Sequence, residues 1–115
     1  MVEAYRAPPR VERGDVWLVA LDPTVGSEIQ KTGPCIVISP PEMNAHLRTC
    51  LVAPMTTGSR PAPFRVALTF QRKSGLILLD QIRSLDRQRL VKRLGSVREP
   101  LLQRVLQVLK AMFAP

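Results

Sequence analysis

Residues 15–23 read DVWLVALDP. The run after Asp15 is aliphatic, β-branched or aromatic, the composition of a strand, and the turn-forming pair Asp22-Pro23 stops it because proline cannot extend a central ladder. This first predicted strand, 15–21, sets the pattern for the rest of the chain. A second apolar run, 35–39, stops at Pro40-Pro41, and Pro41 is placed to open one short helical turn over PEMNAHL. Runs at 49–53, 64–70 and 75–79 complete five short predicted strands separated by turn signals. Only the C-terminus reads as a long helix: Leu101, Leu102, Val105, Val108, Leu109, Met112 and Phe113 recur on one face, giving a stripe to pack on the sheet. Ser96 and Glu99 have capping-box spacing, while Pro100 equally suits the first helical position. The fold class is therefore mainly β with helices (α+β), a small barrel or twisted sheet carrying a C-terminal amphipathic helix.

Outside these elements, residues 1–12 show no periodicity and read as a flexible N-terminal arm, leaving 13–115 as a single domain. A chain of 115 residues is long enough for one core and one active surface. The 22–33 segment, with Pro23, Thr24, Gly26, Ser27, Glu28 and Lys31, is a long polar loop, which in so small a domain is more often functional than decorative. The polar segment DQIRSLDRQRLVKRL at 80–94 follows the fifth strand without a clear period.

The 17 Lys and Arg outnumber the 9 Asp and Glu, a formal charge of +8 spread over the chain. That excess points to a polyanionic partner, nucleic acid or an acidic protein, with simple solubility as the plainer reading. Cys35 and Cys50 lie inside apolar runs and read as small buried hydrophobes. No apolar stretch approaches a membrane span and no signal-peptide pattern opens the chain, so a reducing, cytoplasmic setting without membrane attachment is expected.

Most familiar catalytic sets are missing from the sequence. His46 is the only histidine and has no acidic or thiol partner near it, so it reads as a surface or packing residue and not as a general base. The two cysteines, 15 residues apart, and the scattered carboxylates give no metal-ligand spacing, and Gly26 is isolated, so neither a metal nor a nucleotide-type cofactor is expected. What remains is a set of hydroxyls and cations in connecting segments: Ser27, Lys31 and Thr32, then Thr56 and Thr57, then Arg83, Ser84 and Arg87. Such groups can promote RNA cleavage without metal if the 2′-hydroxyl is aligned with its own phosphate and fixed donors meet the developing charge. As a plainer alternative they make ordinary turn hydrogen bonds.

Four segments change the weighing: RGDVWLVALDPTVGSE at 13–28, PCIVISP at 34–40, VAPMTT at 52–57 and LLDQIRSLDRQRL at 78–90. In this order and at these separations they resemble the MazF/PemK (Kid-like) toxin family over nearly the whole chain from Arg13 onward. The resemblance implies a small SH3-like barrel with added helices, a homodimer binding RNA along its interface, and sequence-selective, metal-independent cleavage of single-stranded RNA. It also implies neutralisation by a cognate antitoxin, expected to lay an acidic, partly disordered segment across a basic groove. By the same resemblance Thr56 is the catalytic threonine that binds and polarises the scissile phosphate, with Thr57 beside it. Ser27 and Glu28 correspond to substrate-recognising loop residues, and Gln81 and Arg83 to the RNA groove.

The sequence departs from the family at Gly33. KTGP stands where KTRP is expected, and the missing arginine is the residue to which the family resemblance assigns acid/base work and stabilisation of the phosphorane charge. Lys31 or Thr32 would substitute only in part, since an ammonium lacks the planar fork that engages two phosphate oxygens. The expectation is an attenuated ribonuclease. Competing readings are a binding module of the same fold that no longer cleaves, a CcdB-like toxin acting on DNA gyrase, and a basic SH3-like adaptor.

Overall fold

The computed structural model describes residues 8–21 and 31–115. Seven strands form one strongly curled antiparallel sheet: β1 (Asp15–Ala20), β2 (Thr32–Val37), β3 (Thr49–Thr56), β4 (Arg65–Phe70), β5 (Lys73–Leu78), β6 (Arg83–Asp86) and β7 (Leu90–Ser96). Helix α1 (Pro41–His46) links β2 to β3, and helix α2 (Glu99–Phe113) ends the chain. The ladder runs β4-β5-β3-β2-β1-β7, with β6 added to β3.

Strand β3 is the trunk of the sheet. One edge pairs with β2, while the other is shared, taking β6 over Thr49–Val52 and β5 at Met55 and Thr56. The change of partner falls at Ala53 and Pro54, where a residue with no N–H to donate leaves no ladder bond broken. The same logic admits Pro34 inside β2, because pairing to β3 begins only at Cys35.

The two faces of the sheet bury two clusters. Trp17, Val19, Cys35, Val37, Cys50, Val52, Leu85 and Leu90 fill one, joined by Val11, so packing begins slightly before the domain start read at Arg13. Ile36, Ala53, Val66, Ile77, Leu79 and Val105 fill the other, which α2 covers with Leu101, Val108 and Leu109. Alternation along β2 and β3 assigns odd residues of β2 and even residues of β3 to the first cluster. Both cysteines are buried and free, as their apolar surroundings suggested. A buried pair seals the α1 corner: Ser39 Oγ donates to Asn44 Oδ1 at 2.7 Å and accepts from the Leu51 amide at 3.1 Å.

Curling brings the far ends of the sheet together. Strand β7 carries irregularities that leave Leu94 and Val91 without partners in β1, bending it. At that bend Phe70, at the tip of the β4–β5 hairpin, lies over Gly95, and Gln71 Nε2 donates to the Leu94 carbonyl at 3.3 Å. Gly95 has φ +153 and a β-carbon there would stand 3.3 Å from the Phe70 ring, so both backbone and space favour glycine.

Against the sequence reading, the described residues form seven strands and not five, because the polar 80–94 segment contains β6 and β7. Each of these pairs along one edge only, and such strands carry charges that blur the alternation. Helix α2 starts at Glu99 with Arg98 as its cap residue and Pro100 in the first turn, and no side chain caps it, so the Ser96–Glu99 capping box does not form. Met112 and Phe113, read as part of the packing stripe, remain 37% and 73% exposed. His46 is at the exposed end of α1. Among the described residues no helix is long and apolar enough to cross a membrane.

Candidate active site

The β2–β3 register pairs Cys35 with Pro54, Ile36 with Ala53 and Val37 with Val52. Carried two residues further, past the last ladder pair, the same register sets Gly33 opposite Thr56. Both belong to the alternation class of Cys35 and Val52, so they share the open end of the first core cluster. The β3–β6 register, Val52 opposite Arg83, adds Arg83 to that face and places Gln81 beyond it. The guanidinium of Arg83 is close enough to the Cys35 thiol to oppose the effect of burial on its ionisation.

Thr56 ends β3 half-buried, and its Oγ1 accepts the Gly58 amide at 3.2 Å. One lone pair of the hydroxyl is thereby used, which fixes its orientation and leaves its proton to donate. Thr57 follows, exposed. The backbone of Thr56 is pressed against β5, where a β-carbon on Gly75 would stand 2.5 Å from the Thr56 carbonyl oxygen. Only glycine permits this approach.

Gln81 is exposed at the end of a 3₁₀ turn, Leu79–Gln81. The turn is fastened from below by Arg65, whose Nε and Nη2 reach the two oxygens of Asp80 at 3.1 and 3.0 Å. This fork holds the Asp80 carboxyl below the usual carboxylate range.

The residues on either side of 22–30 are equally tied together. Leu21 donates its amide to the Lys31 carbonyl at 3.1 Å, and Ala20 pairs with Thr32. Arg89 Nη1 caps the clamp from the 3₁₀ turn just before β7, 2.9 Å from the Leu21 carbonyl and 3.4 Å from that of Ala20. Lys31 and Thr32 are both exposed beside Gly33. Ser27 and Glu28, the substrate-recognising residues expected in this loop, lie outside the described residues.

The structure thus brings Thr56, Thr57, Gly33, Lys31, Thr32 and Gln81 toward one end of the sheet, sets Arg83 on the same face four residues further along β3, opposite Val52, and does not bring two other candidates there. Ser84 pairs with Leu51 and belongs to the opposite alternation class from Arg83. Arg87 follows Asp86, which pairs with Thr49 at the other end of β3, roughly 20 Å from Thr56 at strand rise. Its Nη1 donates to the Pro9 carbonyl at 3.2 Å and its backbone amide to the Arg48 carbonyl at 2.9 Å, so it ties the N-terminal arm to the sheet. A guanidinium built into tertiary contacts looks the same in sequence as one offered to a ligand.

Sequence reasoning also missed groups. Arg89 was not singled out, since nothing in sequence tells a clamp from a surface charge. A pocket of about 400 Å³ adjoins Thr56 on the other face of the sheet, lined among others by Pro34, Met55, Phe70, Gln71 and Lys73. Its walls come from five strands, β2, β3, β4, β5 and β7. Among the described residues no group of three or more His, Cys, Asp or Glu is placed to hold a metal ion.

Residues 12–113 match the family described as PemK-like, MazF-like toxins of type II toxin-antitoxin systems. Endoribonuclease PemK of Escherichia coli is 40% identical over 102 residues, covering 84% of this chain and 77% of the relative. Endoribonuclease EndoA of Bacillus subtilis is 33% identical over 110 residues, covering 90% and 95%. The fold superimposes on a chain of the MazE-MazF crystal structure (Form-II) from Deinococcus radiodurans with a TM-score of 0.78, at 27% identity and covering 90% and 96% of the two chains.

Proposed function

Because the chain belongs to the family of PemK-like, MazF-like toxins of type II toxin-antitoxin systems, we propose that it is a metal-independent endoribonuclease for single-stranded RNA, slowed by glycine at position 33. What carries this reading is the β2–β3 register, which extended past Cys35–Pro54 sets Gly33 opposite Thr56 on one sheet face, with Arg83 opposite Val52 on that face and Gln81 in the 3₁₀ turn before β6.

In the proposed reaction the RNA 2′-oxygen attacks its own phosphorus, a 2′,3′-cyclic phosphate forms, and the 5′-oxygen leaves with a proton. Thr56, its hydroxyl oriented by the Gly58 amide, donates to a non-bridging phosphate oxygen. Arg83 supplies positive charge on the same side. Position 33 offers no side chain to take the 2′-proton, to protonate the leaving oxygen or to meet the phosphorane charge. Losing one preorganised donor costs ~10²–10³-fold in rate, and losing an acid/base group with it costs more.

The family description and the MazE-MazF structure support a proteinaceous antitoxin as partner. The charge of +8 supports an acidic, partly disordered segment as the part that covers the site. We also assign the toxin to a homodimer in the cytoplasm, where Cys35 and Cys50 remain thiols.

The test is cleavage of single-stranded RNA in the presence of a metal chelator by this protein, by Gly33→Arg, and by Gly33→Arg combined with Thr56→Ala. Strong cleavage by the single variant alone is expected. Equal silence from all three would transfer the weight to a toxin of this fold that binds without cutting.

A further inference from the structure

Resting on that reading, we propose that Arg65 is a positioning residue for RNA binding, acting through Asp80 on Gln81 without meeting the RNA itself. The distribution of its donors points this way. Nε and Nη2 reach the two oxygens of Asp80 at 3.1 and 3.0 Å, while Nη1 reaches the Arg60 carbonyl at 3.0 Å. One guanidinium thus joins the turn that ends at Gln81 to the segment that follows Thr56 and Thr57.

The backbone repeats the connection. Arg65 opens β4 opposite Leu78, the last residue of β5, and its amide donates to the Ala62 carbonyl at 3.0 Å. The Leu79 amide, at the start of the turn, donates to the Phe64 carbonyl at 3.2 Å. These bonds hold the entry to the turn and leave its exit to Asp80. A 3₁₀ turn of three residues has poor internal hydrogen-bond geometry, so its end is set by what grips it from outside. Two parallel bonds fix the Asp80 carboxylate in orientation as well as in distance. Gln81 is the next residue, exposed, with a side-chain amide that offers both donors and an acceptor.

The same geometry takes Arg65 out of the set of phosphate ligands. Its Nε–Nη2 edge, which would fork onto a phosphate, is filled by Asp80, and its charge is balanced inside the pair. Its guanidinium carbon also lies 5.7 Å from the centroid of the Phe64 ring. An ion pair open to solvent adds little to global stability. What this one adds is a fixed direction for the residue after it.

The probe is the tightest-binding sequence that the protein selects from a random pool of short single-stranded 2′-fluoro RNA, which lacks the attacking hydroxyl and is bound without being cut. Its affinity is measured over a range of salt concentrations for the protein, Arg65→Gln, Asp80→Ala, Gln81→Ala, and Arg65→Gln combined with Gln81→Ala. Arg65→Gln and Asp80→Ala are each expected to weaken binding about fivefold, with melting nearly unchanged. In the Gln81→Ala background Arg65→Gln should have no further effect, which a general loss of structure would not reproduce. The slope of log affinity against log salt should stay the same in Arg65→Gln, because no phosphate contact is lost. Should Arg65→Gln fail to fold, Asp80→Ala breaks the same fork from its other side. A slope reduced by about 0.7 in Arg65→Gln, or tighter binding by Asp80→Ala, would make Arg65 a direct phosphate ligand and overturn the positioning role. Additive losses in the double variant, or full affinity in both Arg65→Gln and Asp80→Ala, would overturn it as well. Enrichment of no RNA by the protein would instead overturn the reading of the chain as a single-stranded RNA toxin.

Discussion

A β-carbon at position 75 would stand 2.5 Å from the carbonyl oxygen of Thr56, closer than any real contact of that kind. The glycine of β5 therefore sets how near the hairpin comes to the residue proposed to bind the scissile phosphate. Replacing Gly75 by alanine must push Thr56 or β5 aside, at a cost of about 1–3 kcal/mol for overpacking. The displacement also shifts a donor that has to meet a phosphate oxygen within tenths of an ångström. In a Gly33→Arg background, Gly75→Ala should lower RNA cleavage ~10²-fold while thermal melting still shows a cooperative fold. Full activity with the same loss of stability would separate Thr56 from the chemistry.

Position 33 offers the opposite case. Among the described residues a β-carbon there meets only the Leu21 Cδ1 atom, at 3.0 Å, and that is the free end of a flexible side chain. Arginine should therefore enter with small strain, offset by the lower chain entropy of a non-glycine residue in the unfolded state, ~0.4–1 kcal/mol. The melting temperature of Gly33→Arg is expected within about 5 °C of the parent. A larger fall would mean that Leu21 cannot yield, and a gain of cleavage would then require a compensating change at Leu21.

The two thiols predict an alkaline weakness. Burial pushes Cys35 up to about 12 and Cys50 up to about 11, against the nearby guanidinium groups of Arg83 and Arg87, which lower them. In the unfolded chain both ionise near pH 8.5–9. Above that pH the unfolded state has lost protons that the folded state keeps, so unfolding becomes easier as pH rises. The slope is at most about 1.4 kcal/mol per pH unit for each thiol, acting between roughly pH 9 and the folded values. Urea unfolding at pH 8 and pH 10 should show this decline, and the double variant Cys35→Ala, Cys50→Ala should be less steep. Parallel slopes would assign the decline to other groups. Thiol reagents at pH 7.5 should react only on unfolding.

How much of this was legible in sequence depended on whether a signal was local. The run at 15–21 announced β1 because its β-branched and aromatic residues are contiguous, and the α2 stripe was visible at helical spacing. The strands β6 and β7 were missed because Arg83, Asp86, Lys92 and Arg93 interrupt the apolar pattern; Arg93 Nη2 in fact reaches the buried Asp15 Oδ1 at 3.2 Å, a partner 78 residues away. Thr56 is marked by its motif and ends β3, and the β2–β3 register extended past Cys35–Pro54 sets it opposite position 33, which the VAPMTT segment could not show by itself. Arg87 and Arg83 are four residues apart and alike in composition, yet one ties down the arm and the other lies on the site face. The register of β6 on β3 makes that difference, and register is set by the whole sheet. The pocket at Phe70 was invisible for the same reason: its walls meet only when the hairpin tip reaches β7.

The last expectation concerns Arg89, which donates through Nη1 to the carbonyls of Leu21 and Ala20, at 2.9 and 3.4 Å. These carbonyls sit where the chain leaves β1 for residues 22–30, among them Ser27 and Glu28. A charged donor shared between two backbone acceptors contributes about 1–2 kcal/mol, most of it to the loop base and little to the global fold. Arg89→Gln should therefore leave melting nearly unchanged but speed amide exchange at Leu21, whose N–H is bonded to the Lys31 carbonyl, about tenfold. RNA affinity should fall with it, because Leu21 and Lys31, once loosened, must be ordered again on binding. Arg89→Lys distinguishes geometry from charge: an ammonium keeps the charge but lacks the guanidinium's fixed donor fork, so it should recover only part of the exchange protection. Complete recovery by lysine would show that the positive charge alone, and not the clamp on Leu21, is what RNA binding requires.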